Sequence, residues 1–182
     1  MPSWLLARIS SGMQYAGPRS ELDAYGVGFT LDPWYVTGLT EGEGCFCVSL
    51  AVRAKMRTGL GARPSYSLSL NEKDRRLLTG LREFFGCGWI CASRADRTFK
   101  YEVRSASELV DRVVPHFQEF PLRGAKARSF AGFAEVCRMI GQGDHLVREG
   151  MVEIVRIAYE MNLGKRRHPQ AVLLRALGEV KG

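Results

Sequence analysis

Two carboxylates stand where a helix disfavours them. The stretch Trp34-Tyr35-Val36-Thr37-Gly38-Leu39-Thr40-Glu41-Gly42-Glu43-Gly44 reads as a helix of about ten residues, roughly 15 Å long at the usual rise. Pro33 suits its first turn, where a missing N–H costs nothing. Gly44 suits its stop as a left-handed cap. Glu41 and Glu43 then fall at the C-terminus, where the macrodipole disfavours a carboxylate by a few tenths of a kcal/mol or more. Acids in that position point to a cation supplied from outside. Gly38 and Gly42, four apart, share one helix face and lower its propensity. Small residues at that spacing let a second backbone approach closely.

The elements that must hold this stretch follow from alternation. From Cys45 to Arg53, Phe46, Val48, Leu50 and Val52 face one way and Cys45, Cys47, Ser49, Ala51 and Arg53 the other. A loop with Lys55, Arg57, Gly59, Gly61 and Arg63 leads to a second strand. It sets Tyr66, Leu68 and Leu70 against Ser65, Ser67, Ser69 and Asn71. One apolar and one small, polar face describe a sheet covered by helices on one side only. The polar side is left for a ligand.

Asp74 can cap a helix carrying Leu77, Leu78, Leu81, Phe84 and Phe85, ended by Gly86-Cys87-Gly88. A hairpin follows, Trp89 to Ser93 and Thr98 to Arg104, turning through Arg94 to Arg97. Ser105 to Glu108 has capping-box spacing and opens the next helix, with Leu109, Val113 and Phe117. Beyond Leu146 an amphipathic helix, a basic break at Lys165-Arg166-Arg167 and a short helix near Ala171 to Leu177 are expected. Residues 1–30 read as an extension with little structure of its own, and 31–182 as one domain.

Val36 to Gly44, with Leu31-Asp32-Pro33-Trp34 before it and Cys45-Phe46 after it, resembles the motif of the LAGLIDADG homing endonucleases. Leu77-Leu78 with Phe84 to Gly88, and Phe117 through Pro121-Leu122-Arg123-Gly124-Ala125-Lys126 to Phe130, are similar to later segments of that family. Thr37 and Thr40 depart from the family pattern by replacing apolar residues, and both acids are Glu. The resemblance spans roughly Leu31 to Ile140 and implies an α+β fold of αββαββα order with an antiparallel, saddle-shaped sheet.

It implies further that Glu43, with the Gly42 carbonyl, holds Mg²⁺, for which Mn²⁺ would substitute. Lys126 and Asn71 would position the catalytic water; Glu72 remains an alternative to Asn71, and Arg123 or Arg128 to Lys126. Thr37, Gly38, Glu41 and Gly42 would meet a second copy, since a single motif makes one half-site. The expected activity is site-specific cleavage of double-stranded DNA by a homodimer on a pseudo-palindromic site. A non-cleaving binder on the same fold, an intron-RNA maturase or a transcription regulator, is the alternative.

Composition agrees with a nucleic-acid partner. The chain of 182 residues carries a net charge of +7, mostly from arginine, with 46% hydrophobic and 25% charged residues. Arg53, Lys55, Arg57, Arg63, Arg94, Arg97, Lys100 and Arg104 fall on the polar face or its loops, where Ser49, Ser67 and Ser69 could touch bases. Trp89 fits either that face or the core. No apolar run is long enough to span a bilayer, and no secretory signal is evident. A cytoplasmic or organellar setting is expected. The five cysteines read as reduced thiols and not as a zinc site, and His116, His145 and His168 show no ligand spacing.

Overall fold

The computed structural model describes residues 30–92, 97–161 and 168–178. The extension expected over 1–30 therefore lies, but for Thr30, outside the described residues, as do Arg94 and Lys165-Arg166-Arg167. Asp32 opens α1 (Pro33–Glu43) by accepting the N–H groups of Trp34 and Tyr35 at 2.9 and 3.1 Å. The chain passes without a loop into β1 (Gly44–Val52), then β2 (Leu60–Asn71), α2 (Arg75–Phe85), β3 (Trp89–Ala92) and β4 (Thr98–Val103). A third helix, α3, covers 106–119 and widens into a π turn at Leu109–Val113. Pro115 follows that turn and lacks the N–H a regular α-helix would use. The order αββαββα is thus observed.

After it come α4 (Lys126–Gln142), α5 (Arg148–Met161) and α6 (Gln170–Ala176). The four strands are antiparallel in the order β1-β2-β4-β3. Phe46, Val48, Tyr66, Leu68, Tyr101 and Val103 point from the sheet into one buried cluster, which extends from Leu31 to Leu177. Phe46 is its hub, with rings of Tyr66, Phe117, Phe130 and Phe133 all 5.2 to 5.3 Å away.

Three local expectations are corrected. Gly44 is not left-handed; its φ of −75° and ψ of 155° are extended. It is glycine for space, because a Cβ there would lie 2.5 Å from Thr40 Cγ2 and 2.7 Å from the Thr40 carbonyl oxygen. The second strand begins at Leu60, so Gly61 and Arg63 belong to it and the hairpin loop is shorter. Pro64 is tolerated because β4 pairs with β2 only from Tyr66 onward, leaving Pro64 on a stretch with β1 as its sole neighbour. Asp74 makes no capping bond to α2. Asn71 caps the short 3-10 turn before that helix instead, accepting from the Lys73 N–H at 3.2 Å.

His116 carried no signal in the sequence, yet it is wholly buried, stacked on Phe120 and edge-on to Phe84, Phe85 and Phe117. Thr37 Oγ1 donates to the Phe120 carbonyl at 2.9 Å, so its lone pairs face His116 Nε2 at 3.4 Å. That fixes the proton on Nε2 and leaves Nδ1 a buried acceptor without a protein partner. Burial lowers the His116 pKa from 6.5 to about 4. The unfolded chain binds this proton first, so stability is full above pH 6.5 and falls as pH drops towards 4. The loss from this one group approaches about 3 kcal/mol. Urea midpoints measured from pH 7.5 to 4.5 should show it, and His116→Phe should flatten that part of the profile. An unchanged profile in the variant would assign the acid sensitivity elsewhere.

Candidate active centre and nucleic-acid face

The centre is built where α1 runs out. The last turn of a helix leaves carbonyls without intrahelical partners, and here another helix answers two of them. Lys126, the first residue of α4, donates from Nζ to the carbonyls of Glu41 at 2.6 Å and Gly42 at 2.9 Å. A cation at a helix C-terminus is well placed against the dipole. Glu41 laces the junction from the other side, accepting the N–H groups of Arg123 and Gly124 on Oε1 at 2.6 and 2.7 Å. A Cβ at Gly124 would meet Glu41 Oε2 at 2.8 Å, so a larger residue there would push this carboxylate aside. Arg123 in turn sits over the Trp34 ring at 5.6 Å.

Glu43 is left exposed, the one acid of the pair with no partner role in this junction. Its carboxylate and the Gly42 carbonyl are hard oxygen donors at the negative end of a helix, the donor set suited to Mg²⁺. No cluster of three or more His, Cys, Asp or Glu exists among the described residues. These donors alone therefore fit part of a site and not a closed coordination shell. Lys126 and Gly42 are brought together with Glu43. Asn71 lies on β2, whose Leu68 pairs with Gly44, so it sits about 10 Å further along the neighbouring strand. Its side-chain oxygen is occupied in the turn cap.

The expected partner face needs one correction. Gly38 and Gly42 are exposed, and a Cβ on either would meet nothing within 4 Å. Thr37 is not on that face: it is 5% exposed and bonded inward to Phe120. Glu41 borders it, but its carboxylate is spent within the chain. Thr40 is buried too, bonded to the Tyr66 hydroxyl at 2.8 Å. Both threonines are thus satisfied core groups.

On the open side of the sheet, cross-strand rows are Ser49–Arg63, Cys47–Ser65, Cys45–Ser67–Glu102–Trp89, Ser69–Lys100–Cys91 and Asn71–Thr98. Ser49, Arg63, Ser69 and Arg104 are exposed there, with Arg53, Lys55 and Arg57 in the adjoining loop. Arg97 is exposed at the start of β4, and its carbonyl accepts from the Glu72 N–H. Ser67 is corrected: it is on this face but only 7% exposed beneath its neighbours. Trp89 belongs to this face at 39% exposure, with the Arg104 guanidinium 5.4 Å from its ring centre. Glu102 was missed as a site residue, although Lys100-x-Glu102-x-Arg104 shows a lone acid between cations on one strand face.

Removing the Glu41 carboxylate should unlace the junction without touching Glu43. Glu41→Ala should destabilise the fold by about 1–2 kcal/mol, the usual range for lost charge-assisted bonds to backbone N–H groups. Denaturant unfolding measures this, and a change below about 0.3 kcal/mol would show that the 121–125 loop holds itself.

The family model described as LAGLIDADG endonuclease matches residues 36–137. A probable intron-encoded endonuclease 3 of Neurospora crassa is 30% identical over 80% of this chain and 27% of that protein. A probable intron-encoded DNA endonuclease 1 of Mycosarcoma maydis is 30% identical over 76% of this chain and 49% of its own length. The chain thus spans about a quarter to a half of these curated relatives. Among solved structures, the homing endonuclease I-TnaI is 34% identical with a TM-score of 0.73, covering 84% of this chain and all of that one. I-SmaMI bound to an uncleaved DNA target in the presence of calcium ions is 31% identical, TM-score 0.76, over 80% of this chain and 50% of its own. No helix among the described residues is long and apolar enough to cross a membrane. With its motif helix, four-stranded open sheet and matched residues, the chain belongs to the LAGLIDADG endonuclease family.

Proposed function

We propose that this chain is the half-site unit of a homing endonuclease that cuts double-stranded DNA as a homodimer. The observation that carries the reading is the exposed end of α1. There Gly38 and Gly42 find no packing reason inside the chain, and Glu43 stands free beside them. Two such helices packed glycine to glycine would bring two Glu43 carboxylates to one axis and set two open sheets along successive major grooves. Relatives named as intron-encoded endonucleases, and a DNA-bound neighbour, support the same reading.

Glu43 and the Gly42 carbonyl would hold the divalent ion, which supplies the charge stabilisation that in-line displacement at phosphorus needs. Lys126 spends two of its three N–H donors on α1 carbonyls, leaving one to orient a water or a phosphate oxygen. Asn71 retains its amide N–H₂ but stands about 10 Å along the neighbouring strand. It would therefore orient a second water or a phosphate and not the one on Lys126. The buried threonines leave the acid untouched, so the departures from the family pattern lend no weight to a non-cleaving binder.

Two measurements test this. Sedimentation should give a dimer at micromolar concentration on DNA, where a persistent 20.3 kDa monomer would remove the paired centre. Glu43→Gln keeps shape and loses charge, so cleavage with Mg²⁺ on the rejoined DNA flanks of the gene should fall at least about a thousandfold, roughly 4 kcal/mol of barrier. Binding without divalent metal should hold or improve. A variant that cuts like wild type, or a wild type that binds and never cuts with Mg²⁺ or Mn²⁺, would overturn the mechanism in favour of a binder.

A further inference from the structure

Glu102 is the sole acid in the four described strands, and it sits at the middle of the open face. It is 4% exposed, between Ser67 on β2 and Trp89 on β3. Its two oxygens are divided: Oε1 accepts from Lys100 Nζ at 2.9 Å and Oε2 from Arg104 at 2.9 Å. Both cations remain partly open to solvent, with side-chain exposures of 37% and 58%. Arg104 is held a second time by the Trp89 ring.

An acid under a DNA-facing sheet lowers its attraction for phosphate, so it calls for a reason. If Lys100 and Arg104 swung out to phosphates, Glu102 would be left a buried charge without a counter-ion, a costly state. The cations are therefore tethered. Their remaining donors can serve only what the held geometry reaches, which on a sheet seated in a major groove is the base edges. Contacts to phosphate carry no sequence information, whereas contacts to base edges do.

Resting on the reading that this face meets duplex DNA, we propose that Glu102 is a specificity-determining positioning residue. It converts Lys100 and Arg104 from phosphate clamps into fixed base-edge donors. Repulsion built against the wrong contact is the same device that gives specific interfaces their selectivity.

The test is selection from a duplex library with a randomised centre, read by sequencing, together with affinity for the unselected library across a salt series. Glu102→Gln should bind the unselected library at least about threefold tighter, with a salt slope steeper by about one to two phosphates. Its preference for selected over unselected duplex should fall at least about tenfold, the scale of one mismatched base pair. Glu102→Asp, which keeps the charge, should hold that preference within about threefold of wild type. The triple variant Lys100→Gln, Glu102→Gln, Arg104→Gln should lose preference without gaining affinity for unselected DNA, and it carries the test if Glu102→Gln fails to fold.

Melting temperatures close to wild type accompany the expected result, since a merely structural role would lower them and leave the slope alone. Preference unchanged in a folded Glu102→Gln, or in the triple variant where Glu102→Gln does not fold, overturns the proposal. Should Arg63→Gln and the triple variant both bind like wild type, the open face does not meet DNA, and the broader reading falls with it. A wild type that selects no sequence overturns the proposal as well.

Discussion

The last turn of a helix leaves carbonyls to satisfy, and the candidate centre depends on how α1 does it. Lys126 answers the last turn from the start of α4, and Glu41 answers in return by holding the backbone that leads to α4. The two acids of the motif are thereby separated in role. One is structural, engaged by two N–H groups; the other, two residues on, remains free at the same helix end. Because no loop intervenes between α1 and β1, the free acid is rigidly tied to the first strand of the sheet.

Polar groups inside this fold act as locators. Thr40 bonds Tyr66 across the helix–sheet contact, and Thr37 ties α1 to the end of α3 at Phe120. Apolar residues in their places would pack as well but fix the helix less closely in rotation, because dispersion is non-directional and a hydrogen bond is not. His116 sits beside this tie at the expense of an unpartnered Nδ1. The rotation of α1 matters because it decides which side of the helix, glycines or threonines, faces outward.

What was legible in the sequence was periodic or punctuated. Alternation in Cys45–Arg53 and the apolar run from Leu77 to Phe85 marked elements that the structure contains. The family resemblance pointed to Glu43 in the motif and to Lys126 in a later segment, and only the structure brings them to one helix end. Context-dependent features were not legible. Glycine at 44 looked like a left-handed stop, and only the packing of Thr40 shows that space is the reason. Gly61 and Arg63 looked like loop residues, since their pairing with β1 alone, without β4 beside them, is a fact of the sheet. Parity placed Ser67 on the polar face, yet parity cannot show that neighbours cover it. The inward turn of Thr37 was likewise hidden, since a threonine fits either side of a helix. The helix Lys126–Gln142 was not drawn as a separate element, though Phe130, Phe133, Val136, Cys137 and Ile140 have helical spacing.

The empty surroundings of Gly38 and Gly42 have a consequence for how such chains can diverge. Folding of the chain places no steric demand on either position, and helix propensity alone would favour alanine at both. In the proposed homodimer, the pressure that keeps them small would come from assembly. After a gene duplication, one copy could gain a side chain there and the other a matching hollow without either losing its own fold. Partner choice in the proposed homodimer would thus be an evolutionary variable separable from stability, with a pair of unlike halves only a few substitutions from a pair of like ones.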